Sequence, residues 1–130
     1  MKPELTYLAY TAILTATLWI PYIACQVLTN GFLKPQNYAD PTPRPVPLWG
    51  KRAERVYMNA IETFAPFAVL VIVLQLVGKS NSTTVFLVTA FFWLRVAHAI
   101  VYWLAIPYIR TLVFTLVYAC VVGLFVELIR

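Results

Sequence analysis

Charged side chains are scarce in this sequence: they make up 12% of 130 residues, and only five are acidic. A soluble domain carries about 25%, so a surface solvated on all sides by water is excluded. Cysteine is limited to Cys25 and Cys120, each inside an apolar run. That pattern excludes a disulfide framework and a cysteine metal pair, and both thiols read as small buried hydrophobes. The ten basic residues form neither a stripe nor a tail. Nucleic acid is therefore not an expected partner, despite a net charge of +5. There is no internal repeat, no low-complexity tract and no GxxxG-like packing face. No small-residue cleavage site follows the first apolar run, so that run is expected to be retained.

What is present is apolar surface. Hydrophobic residues make up 62% of the chain, and the mean hydropathy is +0.78. Four runs are long enough to cross a bilayer core, which needs about 20 helical residues. They cover approximately residues 5–28, 51–77, 83–106 and 109–129. Continuous runs of this length exclude a β-barrel, whose strands alternate over shorter segments. The expected fold is all-α: a single transmembrane domain over 1–130, built as an integral membrane four-helix bundle. Lys34, Arg44, Lys51, Arg52 and Arg55 lie in or beside the first connection, and Arg110 opens the fourth helix. The positive-inside rule then puts the first and third connections in the cytoplasm and both termini outside.

The first connection, 31–49, is the only long non-helical piece, and five of the nine prolines fall between Pro35 and Pro47. Such spacing favours an extended path, either a rigid connector or a cover over a site mouth. The second connection, "GKSNST", is short enough to make helices two and three an antiparallel hairpin. Pro107 is placed to start helix four, while Pro21 and Pro66 should bend the helices that hold them.

Polar residues inside the spans are few and patterned. Arg55, Asn59 and Glu62 are spaced i, i+4, i+7; Arg95, His98 and Tyr102 are spaced i, i+3, i+7. Each set occupies one helix face. With the hairpin turn centred between Gly78 and Lys79, three levels match: Arg55 with Tyr102, Asn59 with His98, and Glu62 with Arg95. A charge at a helix centre costs about 3 kcal/mol even on permissive insertion scales. Glu62 and Arg95 are therefore expected to form a structural ion pair. The other rungs would line a polar cleft, with Arg110 at its mouth. Thr63, Gln75 and Thr89 fall outside this scheme.

These residues resemble a known family. "RVYMNAIETFAPF" (55–67) is similar to the pattern Arg-x-x-x-Asn-x-x-Glu followed by Pro-Phe, and "RVAHAIVYWLAIPYIR" (95–110) to Arg-x-x-His-x-x-x-Tyr with a later Arg. Both patterns are those of MAPEG proteins, membrane-associated proteins in eicosanoid and glutathione metabolism, here of the bacterial-type microsomal glutathione transferase kind. The resemblance implies a homotrimer with glutathione as cosubstrate, held near the cytoplasmic face between subunits. It implies that Arg55, Asn59, Glu62, His98 and Tyr102 bind glutathione and that Arg110 is catalytic, stabilising the thiolate. A small lipophilic substrate would arrive from the bilayer; no metal is implied. The chain departs from the pattern at Leu28, where relatives place an arginine, and at Phe114 and Thr111.

Three functions remain open on the sequence. The first is a glutathione-dependent transferase or hydroperoxide reductase. The second is a catalytically silent membrane scaffold of the same fold. The third is a small proton-coupled transporter using Glu62 and His98, against which stands the pairing of Glu62 with a cation.

Overall fold

Pro21 has no amide hydrogen, and its ring meets the carbonyl of Thr17, four residues back. In the computed structural model, which describes residues 2–31 and 45–130, the first span breaks at that point. Helix α1 covers Pro3–Thr17 and α2 covers Trp19–Asn30, with Leu18 between them. The single first helix of the sequence reading is thus two. Helices α3 (Leu48–Val77), α4 (Ser82–Trp103) and α5 (Ile109–Ile129) follow. Among the described residues there is no strand, and four helical spans, with α1 and α2 counted as one, are long and apolar enough to cross a membrane. This fits a multi-pass integral membrane protein.

Two boundaries move for local reasons. Helix α3 starts at Leu48, three residues before the expected position, because Pro47 stands in extended geometry as its N-cap and no proline follows for a further 18 residues. Most of the proline-rich loop lies outside the described residues. Helix α4 ends at Trp103, closed by bonds from the Ala105 amide to the Tyr102 carbonyl and from the Ile106 amide to the Val101 carbonyl. That is a Schellman closure.

The hairpin between α3 and α4 is set by its turn. Gly78 takes φ 71°, the left-handed geometry that ends a helix without a Cβ clash. Asn81 then caps α4: its side chain accepts from the Thr84 amide at 3.0 Å, and the Thr84 hydroxyl accepts from the Asn81 amide at 2.8 Å. Helix α3 packs against all the other helices. Its Phe67, Val71 and Leu74 meet Val88 and Phe91 of α4 and Val117, Cys120 and Leu124 of α5 in the main core. A second cluster of Leu18, Val56, Ala60 and Ala99 lies nearer the α4–α5 connection. Both cysteines are free and buried. Helix α2 closes on α3 where Gly50 has no side chain; a Cβ there would run into the Cys25 sulfur.

The opposite end of the bundle is held by a clasp with no local signature. Glu4 is 2% exposed. Its carboxylate accepts from Gln75 Nε2 at 2.7 Å and from the Ser80 hydroxyl. Lys79 Nζ donates to the carbonyls of Leu128 at 2.9 Å and Arg130 at 3.3 Å. Removing the Glu4 carboxylate strands two donors, so Glu4→Ala should lower unfolding stability in detergent by about 1–2 kcal/mol. Glu4→Gln, which keeps one acceptor oxygen, should lose less. Equal stability of Glu4→Ala and wild type would show that the clasp holds nothing.

Candidate functional site

Helix α4 turns Phe91, Arg95, His98 and Ala99 inward, so Arg95 and His98 lie on its buried face. The connection after α4 reverses within five residues, and Ala105 and Tyr108 both take positive φ, 57° and 65°. This conformation costs an L-residue about 1–2 kcal/mol. It returns the chain so that Arg110, in the first turn of α5, stands over the ring of Tyr102, with Cζ 5.1 Å from the centroid. The His98 ring lies 5.6 Å from that of Tyr102 and 6.1 Å from that of Phe114.

These groups surround a cavity of about 250 Å³ lined by Asn59, His98, Tyr102, Arg110, Thr111 and Phe114. Four of the residues singled out from sequence are therefore together, on three helices. Thr111 and Phe114, noticed in the sequence only as departures from a pattern, complete the wall. Among the described residues, no carboxylate lines the cavity. It offers N–H and O–H donors, one guanidinium and one aromatic face, a set suited to an anion or a thiolate.

The other expected rungs are not formed within the chain. Arg55 and Glu62 are exposed, and neither lines the cavity. Arg95 is 1% exposed, and none of its three guanidinium nitrogens has a hydrogen-bond partner. Among the described residues the only ion pair is Arg130–Glu127, so the expected Glu62–Arg95 pair is absent. The reason is rotational. Helix α3 buries Val56, Ala60, Phe67 and Val71, and Glu62, two residues past Ala60, points about 200° away from it. Arg95 instead lies on the inward face of α4. The turn is also centred between Lys79 and Ser80 rather than between Gly78 and Lys79, since α3 ends at Val77 and α4 begins at Ser82. On α2, Leu28 is 78% exposed and carries no charge.

Neither curated proteins nor solved structures returned a match to the chain. A model of one protein family, the MAPEG family, matches residues 5–130, almost the entire length. With four apolar spans and the inward-facing Asn59, His98 and Tyr102 beneath Arg110, the chain belongs to the MAPEG family.

Proposed function

We propose that the protein is a glutathione-dependent membrane enzyme, a transferase or hydroperoxide reductase acting on lipophilic substrates. The observation that carries this reading is the placement of Arg110 at a donor-rich cavity that no carboxylate of the described residues lines. A guanidinium there favours the ionised form of a bound thiol, whose free pKa is about 8.5. The thiolate then attacks an electrophilic carbon: the S–C bond forms and the leaving group departs with its electron pair. With a hydroperoxide, sulfur attacks the terminal oxygen, an alkoxide leaves, and a second glutathione reduces the sulfenic acid to give disulfide and water.

Assembly belongs to the same proposal. Arg55 and Glu62 lie exposed on a membrane-spanning helix, where an uncovered charge costs roughly 3 kcal/mol at the centre. A homotrimer covers that stripe and brings Arg55 and Glu62 to glutathione at a subunit boundary. The end carrying Lys51, Arg52, Arg55 and Arg110 faces the cytoplasm in this reading.

Titration calorimetry of the detergent-solubilised protein with glutathione tests it. Saturable binding with a Kd in or below the millimolar range is expected. No heat of binding at millimolar ligand would leave the silent scaffold as the better reading.

A further inference from the structure

Arg95 is the largest anomaly in the bundle. It is a guanidinium placed between the two apolar clusters, 1% exposed, with Nε, Nη1 and Nη2 all unpartnered. One turn nearer the cavity on the same face is His98, 2% exposed, whose Nδ1 also lacks a partner. An uncompensated buried charge costs several kcal/mol, so a counter-ion is required when the protein works. The described carboxylates do not supply it. Glu4 is held by Gln75 and Ser80, Glu127 by Arg130 and Asn81, and Glu54 and Glu62 are exposed. The ligand cavity already reaches His98. From Tyr102 at its mouth to Arg95 is seven residues of α4, about 10 Å along the axis. In extended glutathione the thiol of the middle residue lies about two residues, roughly 7 Å, from a terminal carboxylate, and the long arginine side chains cover the rest of that distance.

We propose that Arg95 is a ligand-binding residue: with His98 it forms the deep end of the site and holds one of the two carboxylates of glutathione. This rests on the glutathione reading and adds to it a second cation, working at one end of the ligand while Arg110 works on the thiol of its middle residue. Arg110 of α5 meets the sulfur and Arg95 of α4 meets a carboxylate, so the tripeptide is fixed at two points on two helices. Because the counter-ion arrives with the ligand, the ligand-free protein carries the strain of an unpaired charge.

The consequence has opposite signs for stability and for binding. Arg95→Met keeps the volume and removes the charge, so it should raise the melting temperature of the ligand-free protein while weakening glutathione binding about tenfold. Arg95→Lys keeps the charge but not the two-pronged geometry; it tests the same point should the methionine variant fail to fold, and its affinity should fall between the two. Calorimetry would compare glutathione with its glycyl ethyl ester and with cysteinylglycine, each lacking one carboxylate. The tenfold difference between wild type and variant should shrink below twofold for one of the two analogues. An equal loss for all three ligands would overturn the proposal. So would equal drops in melting temperature for Arg95→Met and Glu62→Gln with no further drop in the double variant, since Glu62 would then be the partner. Wild-type protein that binds no glutathione at all defeats the functional reading itself, a different and separately visible result.

Discussion

Arg110→Ala should cut turnover with glutathione about 25-fold at pH 7 and hardly at all at pH 9.5. A free thiol of pKa about 8.5 is roughly 3% ionised at pH 7. A guanidinium in contact lowers that pKa by about two units, which raises the thiolate to roughly three-quarters. The ratio of those fractions is the expected loss. The sign with pH follows from the same numbers. Wild-type activity should be nearly flat above about pH 7.5, whereas the variant climbs with pH until its thiol ionises unaided. The two curves therefore converge on the alkaline side. Stability should scarcely change, because Arg110 is exposed and its ring contact with Tyr102 contributes only about 0.5–1 kcal/mol at such a site. Arg110→Lys retains the charge without the planar fork, so a smaller loss with the same convergence is expected. Curves for Arg110→Ala and wild type that stay parallel from pH 6 to 9.5 would mean that Arg110 does not act on thiol ionisation.

The sequence reading located Arg110 from its place just past Pro107 at the start of the last helix. It located Asn59, His98 and Tyr102 because helical spacing fixes which residues of one helix share a face, and hairpin length fixes their depth. Both are properties of the backbone. It failed for Glu62 with Arg95 because depth along the axis says nothing about rotation around it. Rotation is decided by which apolar side chains fill the interior, here Val56, Ala60, Phe67 and Val71 on α3. The four spans were legible from continuous hydropathy, and the break in the first span from Pro21, although a bend was expected rather than two helices. The Glu4 clasp was not legible. Its partners Gln75 and Ser80 are more than 70 residues away in sequence, and no periodicity links a terminal carboxylate to a distant turn.

Phe67→Ala should destabilise the bundle by about 2.5 kcal/mol, more than the loss of the Glu4 clasp. Phe67 and Phe91 are both fully buried, with ring centroids 3.8 Å apart and planes within 3°. In water such a change carries a transfer term and a cavity term. In a bilayer the first largely vanishes, since lipid tails are as apolar as the core. The second remains: a loss of roughly 100 Å³ at about 24 cal/mol per Å³ gives the figure above. Nearly face-to-face rings gain little from their quadrupoles, so no aromatic bonus is added. Phe67→Leu keeps most of the volume and should lose less than about 1.5 kcal/mol. Unfolding by graded denaturing detergent would read both. Phe91 lies one turn from Arg95 on the inward face of α4, so a cavity at Phe67 also frees the rotation that points Arg95 and His98 inward. Glutathione affinity should therefore fall in Phe67→Ala and hold in Phe67→Leu. A Phe67→Ala protein as stable as wild type would show that the stack does not set the rotation of α3 against α4.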